Sequence, residues 1–246
     1  MDRMLYIGMT AAQESMYAQG LNNHNLANVN TTGFRADLEQ FRSMPVFGPG
    51  HPSRAYSMTE RPGIDFRQGA MITTGNPMDM AIKGNGWFAV EGPDGSEAYT
   101  RAGDFRVDAR GFLLTGTGLR VMGNAGPIVI PPAQSMSIGN DGSIRIQPLG
   151  QNAATMADVG RIKMVNPGNA NMEKGSDGLF RTREGNPADA DLNMRVMTGM
   201  LESSNVNVVE AMAKMITLQR NFDMQTKVMK AAQDNDQATD TLMRIS

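Results

Sequence analysis

The chain has 246 residues, a formal net charge of −2 and no cysteine. This length fits one large domain or two ordinary ones. The near-neutral charge argues against nucleic acid as the main partner, and the lack of cysteine excludes disulfides, thiolate metal sites and a cysteine nucleophile.

The first predicted element is a helix within residues 1–34. Apolar residues and two amides recur there along one seam with heptad-like spacing: Leu5, Met9, Ala12, Met16, Gln19, Asn23 and Leu26. Gly8 and Gly20 each weaken such a helix by about 1 kcal/mol relative to alanine, so packing should stabilise it more than propensity does. The segment lacks an apolar run typical of a signal peptide, so we expect any export to occur without a cleaved leader.

The middle of the chain has the composition of β structure and turns. All 12 prolines and most of the 27 glycines lie between Pro45 and Pro187. Residues 35–75 alternate proline, glycine and isolated aromatics, which indicates an extended arm. Residues 76–185 contain short runs rich in Val, Ile, Phe and Tyr, separated by turn sequences such as PDG and NDG, which predicts a β-rich domain. Residues 186–204 form a return segment.

The last segment, 205–246, predicts a long second helix. It contains neither glycine nor proline, and Asn207 with Glu210 forms a plausible helix cap and capping box. Its heptad-like seam consists of these residues: Val208, Met212, Met215, Gln219, Phe222, Thr226 and Met229. The predicted fold class is therefore α+β, with long N- and C-terminal helices that pair as a coiled coil and an antiparallel β-rich central domain inserted between them.

No motif in the sequence indicates catalysis. His24 and His51 lie in different segments, and no carboxylate pair completes a metal triad. The G-x-G in "KGNGWF" lies within a predicted hairpin rather than at the start of a helix, so the dinucleotide fingerprint fails. We predict no catalytic, cofactor-binding or metal-binding residues, no small-molecule substrate and no enzymatic activity.

Two motifs near the ends carry a family resemblance. "NLANVNTTGF" (residues 25–34) resembles the N-L-A-N-x-x-T-x-G-[FY] motif of the flagellar rod, hook and hook-associated axial proteins. "LESSNVNVVEAMAKMITLQRNFDMQTKVM" (201–229) resembles that family's S-N-V-x-x-x-x-E-x-x-x-M-I-x-x-Q-R-x-[FY]-[ED] segment. Within the family the chain most resembles proximal-rod members, and a distal-rod or hook-type paralogue is the alternative.

The resemblance implies a structural subunit of the bacterial flagellar basal-body rod. Its terminal helices would form an inner coiled-coil layer of a helical tube, and the β domain an outer layer. The tube would act as a drive shaft that transmits torque and conducts exported subunits. The implied partners are the chain itself, other proximal and distal rod subunits, the flagellar type III export apparatus and surrounding ring proteins. The implied location is the periplasm-spanning rod.

The residues expected at the assembly interface come from the seams and motifs: Leu5, Met9, Met16, Asn25, Leu26, Asn28, Thr31, Gly33, Phe34, Asn205, Val206, Asn207, Val208, Met212, Met215, Ile216, Gln219, Phe222 and Met229. A half-exposed seam invites partner helices, and the 22 methionines suit contacts with non-identical neighbours, although a methionine-rich core is the alternative. We expect the asparagine amides to bond at helix ends and across subunits, with Gly33 ending the first helix. A local cap that serves only the monomer, and a coiled-coil adaptor module, stay open as alternatives.

Overall fold

The computed structural model describes residues 3–45, 55–150 and 156–245, which divide into two compact units. The first unit comprises Met1–Val29, Ala36–Asp65 and Val206–Ser246, and the second comprises Asn30–Arg35 and Phe66–Asn205. Residues 46–54, within the predicted arm of residues 35–75, lie outside the described residues.

The first unit contains two helices and a hairpin. Helix α1 spans Arg3–Ala27 and helix α2 spans Val208–Ile245, while strands β1 (Asp37–Pro45) and β2 (Ala55–Ile64) pair antiparallel. Lys214 Nζ of α2 lies 2.5 Å from Glu39 Oε1 of β1, which ties the hairpin to the helix. Neither helix combines the length and apolarity needed to cross a membrane, as far as the described residues extend.

Helices α1 and α2 run antiparallel and meet through small side chains. Near one end of the contact, a Cβ added at Gly8 would lie 2.9 Å from Met229 Cγ. At the other end, Asn22 Nδ2 donates a hydrogen bond of 2.8 Å to the Ala211 carbonyl oxygen. Ala12 is also buried, as is Leu218 of α2. Small residues allow the two backbones to approach closely, so packing stabilises α1, which Gly8 and Gly20 weaken.

The predicted coiled-coil fold class is wrong, because several large apolar residues of the predicted seams do not face the other helix. Met9 and Met16 are 53% and 60% exposed, and Met212 is 48% exposed. The buried positions next to them in sequence are the small residues Gly8 and Ala211. A heptad rule selects large apolar residues, whereas this contact buries small residues such as Gly8 and Ala211 and leaves Met9, Met16 and Met212 facing outward.

The prediction that the β structure forms one central domain inserted between the helices is also wrong. Strands β1 and β2 belong to the same compact unit as the helices, so the β structure is divided between the two units. A two-stranded hairpin is at best marginally stable alone, and packing against the helices of the first unit provides the burial that it needs.

The second unit is built of short antiparallel strands. Their bounds in chain order are β3 (Met71–Thr73), β4 (Met80–Ile82), β5 (Trp87–Glu91), β6 (Glu97–Thr100), β7 (Phe105–Val107), β8 (Leu113–Thr115), β9 (Met122–Gly123), β10 (Gly126–Pro127), β11 (Ala133–Ile138), β12 (Ser143–Pro148), β13 (Ala157–Arg161), β14 (Met164–Val165), β15 (Met172–Lys174), β16 (Phe180–Thr182), β17 (Val196–Thr198) and β18 (Met200–Glu202). A short 3₁₀ turn covers Asn169–Asn171.

These strands form one larger sheet, one smaller sheet and several pairs. The larger sheet has the order β14-β5-β6-β16-β15, and the smaller has the order β11-β12-β13. The pairs are β3 with β18, β4 with β17, β7 with β8, and β9 with β10. Their inward side chains form an apolar core that includes Met80, Phe88, Leu113, Ile144 and Met164.

The turns predicted at PDG and NDG are confirmed. Gly95 and Gly142 have φ values of 76° and 80°, a region that glycine adopts without strain. Asp141 Oδ1 accepts a bond from the Ser143 amide, and Asp94 Oδ1 accepts one from the Ser96 amide. These turns reverse the chain between short strands and explain their acidic residues without a catalytic role.

We expect Gly8→Ala and Gly20→Ala to differ although both lie in α1. A Cβ at Gly20 would meet nothing within 4 Å, so alanine there should raise the free energy of unfolding by about 1 kcal/mol. At Gly8 the contact with Met229 should offset that gain. Urea unfolding followed by far-ultraviolet circular dichroism measures both, and equal gains would contradict the close packing of the helices.

Candidate functional site

The predicted interface residues occupy three kinds of environment. Exposed side chains are Met9, Met16, Thr31, Asn207, Val208, Met212, Ile216 and Gln219. Half-buried ones are Leu5, Asn25, Leu26, Asn28, Asn205, Val206, Met215, Phe222 and Met229. Gly33 and Phe34 are buried. The structure therefore does not gather this set on one surface.

Two exposed apolar stripes lie on the outward faces of the helices. On α1 the stripe consists of Tyr6, Met9, Met16 and Tyr17, and each side chain is more than half exposed. On α2 it consists of Val209, Met212 and Ile216, with exposed fractions of 77%, 48% and 54%. On α2 the spacings are three and four residues, and on α1 Met9 and Tyr17 follow Tyr6 by three and eleven residues and Met16 follows Met9 by seven, so the members of each stripe lie on one side of their helix. Tyr6, Tyr17 and Val209 were not predicted, because they lie beside the heptad seams rather than on them.

The asparagine amides in the first unit bond within the chain. Asn25 makes two hydrogen bonds to the backbone of Asp37: its Nδ2 donates to the carbonyl oxygen at 2.8 Å, and its Oδ1 accepts from the amide at 2.9 Å. Asn28 Nδ2 donates to the His24 carbonyl at the end of α1. Asn207 Oδ1 accepts from the amides of Val209 and Glu210, which confirms Asn207 as the cap of α2.

The two hydrogen bonds of Asn25 to Asp37 show why the first motif needs asparagine at this position. A single planar amide offers a donor and an acceptor together, so Asn25 can bond to both the amide and the carbonyl of Asp37 in β1, as a residue of a neighbouring antiparallel strand would. In the second unit, Asn205 Nδ2 donates to the Arg67 carbonyl at 3.0 Å. Each of the four amides therefore has a role in the fold of its own unit, whereas a role across subunits stays a prediction.

Gly33 is a packing residue of the second unit. Helix α1 ends at Ala27, so Gly33 does not form its cap, contrary to expectation. Gly33 has φ of 68°, and its amide donates to the Glu202 carbonyl at 2.8 Å. An added Cβ would lie 2.4 Å from the Arg101 carbonyl carbon. Both the conformation and the close approach therefore require glycine.

A cluster of buried charges lies beside this turn. Arg35, Arg101 and Glu202 have side chains that are 1%, 3% and 0% exposed. Arg35 Nη2 donates to Glu202 Oε1 at 2.5 Å, and Arg101 Nη1 lies 3.4 Å from Glu202 Oε2, an ion-pair distance. The guanidinium carbons of the two arginines lie 5.9 and 5.7 Å from the ring centre of Trp87.

The cluster carries more positive than negative charge. Burial lowers the pKa of Arg101 to about 10, with Glu202 opposing this effect and Arg35 adding to it. Arg101 still remains protonated near neutral pH, so one carboxylate serves two buried cations. The Trp87 ring supplies further attraction, because its electron-rich face favours nearby cations.

This cluster was not predicted from the sequence, because charged residues near strand ends usually lie at the surface. Arg35 directly follows the first motif, and Glu202 lies within the second. The location of Arg35 beside one motif and of Glu202 within the other was the only feature of the sequence that indicated a structural role for these charges. In the described part of the chain, no group of three His, Asp or Glu residues could hold a metal ion.

Comparison with known proteins identifies the class. A family model described as the flagellar hook protein FlgE/F/G D1 domain matches residues 81–146, and one described as the flagellar basal body rod FlgEFG protein C-terminal matches residues 197–242. With the terminal helices and the β-rich second unit, these matches define a flagellar hook or basal-body rod protein.

Full-length relatives narrow the class further. The chain is 41% identical over 252 residues to the flagellar basal-body rod protein FlgF of Escherichia coli strain K12, with all of both chains covered. It is 37% identical to FlgF of Salmonella typhimurium, again over both full lengths. It is also 31% identical to the rod protein FlgG of Bacillus subtilis, covering 94% of this chain and 96% of the relative. The chain belongs to the FlgF family of flagellar basal-body rod proteins, which confirms the resemblance of the two motifs to flagellar axial proteins.

We expect Glu202→Gln to destabilise the second unit by about 3–5 kcal/mol, because it leaves two buried guanidinium groups without a carboxylate. Trp87 is the chain's single tryptophan, so its fluorescence during urea unfolding reports on this unit.

The matched control for this substitution is Glu91→Gln. Glu91 pairs with Arg120 at 3.1 Å, and their side chains are 29% and 45% exposed. Loss of such a surface pair should cost less than about 1 kcal/mol. Similar losses for the two variants would contradict the structural role of the cluster.

Proposed function

We propose that the chain is a structural subunit of the flagellar basal-body rod and assembles by covering its exposed apolar stripes with neighbouring rod subunits. The observation that carries this proposal is the outward orientation of Met9 and Met16 on α1 and of Met212 on α2, while small residues hold the helices together. Family membership supplies the kind of neighbour, since the relatives carry the names of basal-body rod proteins.

Exposure of these stripes has a free-energy consequence. Covering apolar surface stabilises a contact by about 25 cal/mol for each Å² removed from water. Single exposed apolar residues are ordinary, but aligned side chains on each of two helices offer continuous surfaces to a partner helix. Rod assembly would remove these surfaces from water, so the subunit should gain stability on incorporation.

The stripes also suit a polymer that does not close on itself. They lie on different helices and differ in composition, with tyrosines on α1 and β-branched residues on α2. Unlike surfaces that meet between successive subunits make heterologous contacts, and such contacts generate helical filaments when the rotation between subunits does not close a ring. Methionine adapts its shape to different neighbours, which suits contacts with other rod or hook proteins.

The proposed role is structural rather than catalytic. In the second unit the buried carboxylate of Glu202 is committed to Arg35, Arg101 and the Gly69 amide. The same proposal places the chain in the basal body, with export through the flagellar type III apparatus and contacts to surrounding rings as its finer parts. As a tube of such subunits, the rod would transmit torque and conduct exported proteins.

We expect Met16→Glu and Met212→Glu to prevent incorporation without unfolding the chain. Each places a charge on an exposed stripe, where the folded monomer tolerates it but an apolar partner surface does not. The variants are expressed in a bacterium that lacks its own copy of the gene, and basal bodies are then purified and assayed for the chain. Swimming should be lost together with incorporation.

The matched control is Met156→Glu, because Met156 is also 48% exposed but belongs to the second unit. It should incorporate like the wild type. Normal incorporation of Met16→Glu and Met212→Glu, with unchanged circular dichroism, would contradict the proposed assembly surface.

A further inference from the structure

Methionine supplies the sulfur atoms of the exposed stripes. Met9, Met16 and Met212 are 53%, 60% and 48% exposed, whereas Met80 and Met164 in the core of the second unit are 0% and 1% exposed. Oxidation of a thioether depends on access to the sulfur, so the first three should react much faster than the last two.

We propose that Met9, Met16 and Met212 form an oxidation site that controls assembly, so that a subunit oxidised there by a peroxide cannot dock on a neighbouring rod subunit. The inference rests on the proposed function, because it assigns regulation to the same stripes. It concerns free subunits, since a neighbour that covers a stripe also shields its sulfur atoms.

The chemistry needs only hydrogen peroxide as co-reactant. A lone pair of the methionine sulfur attacks one peroxide oxygen, the O–O bond breaks, and a sulfur–oxygen bond forms. The second oxygen leaves as water after proton transfer. The sulfur loses two electrons and the peroxide gains them, so the step balances without a metal or cofactor. Methionine sulfoxide reductases reverse it, which would return the subunit to an assembly-competent form.

The product changes the character of the stripes. A sulfoxide replaces a flexible apolar side chain with a polar one whose oxygen requires a hydrogen-bond donor. Docking would bury that oxygen against apolar surface without such a donor, which we expect to weaken the contact about tenfold for each oxidised site. Val209 and Ile216 beside Met212 cannot oxidise, so the sensitivity of the α2 stripe depends on its methionine.

The reactive positions can be replaced without losing their apolar volume. Leucine for methionine conserves volume closely, and these side chains lie outside the helix–helix contact. A variant with Met9→Leu, Met16→Leu and Met212→Leu should therefore fold and incorporate as the wild type does, but peroxide should no longer oxidise its stripes. Met156→Leu is the matched control, since it removes an equally exposed methionine from the second unit.

A competition experiment tests the inference. Wild type and the triple leucine variant are expressed together in a bacterium that lacks its own copy, and cells receive a pulse of hydrogen peroxide that is quenched before assembly resumes. Mass spectrometry measures sulfoxide in the free pool and the ratio of the two chains in newly built basal bodies. We expect the share of wild type in new basal bodies to fall in proportion to its sulfoxide content at the three positions. When wild type competes with Met156→Leu instead, both chains keep the three methionines, and we expect peroxide to leave their ratio unchanged.

The possible results separate failure of the oxidation control from failure of the proposed function. An unchanged ratio despite sulfoxide at the three positions would overturn the oxidation control while leaving the proposed function intact. Equally fast oxidation of Met80 and Met164 would overturn the selectivity of the site. Absence of both chains from basal bodies in untreated cells would contradict the proposed function itself, and the inference with it.

Discussion

The close contact between α1 and α2 is the constraint on which the rest of the first unit depends. It is made by small residues such as Gly8, Ala12 and Ala211, and by the buried amide of Asn22. Because these residues take the inner side of each helix, Tyr6, Met9, Met16, Tyr17 and Met212 lie on the outer side. The same sequence feature thus explains how the helices pair in one chain and why each retains an apolar face.

The two family motifs contribute first to the fold of the subunit. Asn25 fixes the start of β1 to α1, and Asn207 caps α2. In the second unit, Gly33 permits the close approach to Arg101, and Glu202 neutralises part of the charge of two buried arginines. Residues that identify the family are therefore mainly those that set the geometry of the subunit, while the exposed apolar stripe of α1 lies outside the first motif.

The sequence predicted the elements better than their contacts. Two long helices, the Asn207 cap, a β-rich middle and its PDG and NDG turns follow from local chemistry, which is readable from a single chain. The inner side of each helix was misjudged, because moving a heptad pattern by one residue rotates the contact by about 100° and Met9 appears a better core residue than Gly8. The Arg35, Arg101 and Glu202 cluster depends on residues distant in sequence, and no local pattern brings them together.

The central claim is that neighbours in the rod cover the outward apolar stripes. Since the chain has no cysteine, Met16→Cys introduces a single thiol into the α1 stripe, and Leu149→Cys places one at a site that is 67% exposed in the second unit. Maleimide labelling of purified monomer and of isolated basal bodies compares the two states directly. The account predicts that the thiol at position 16 reacts in the monomer and is protected in the basal body. Equal labelling of that thiol in both states, with intact rods containing the variant, would contradict it.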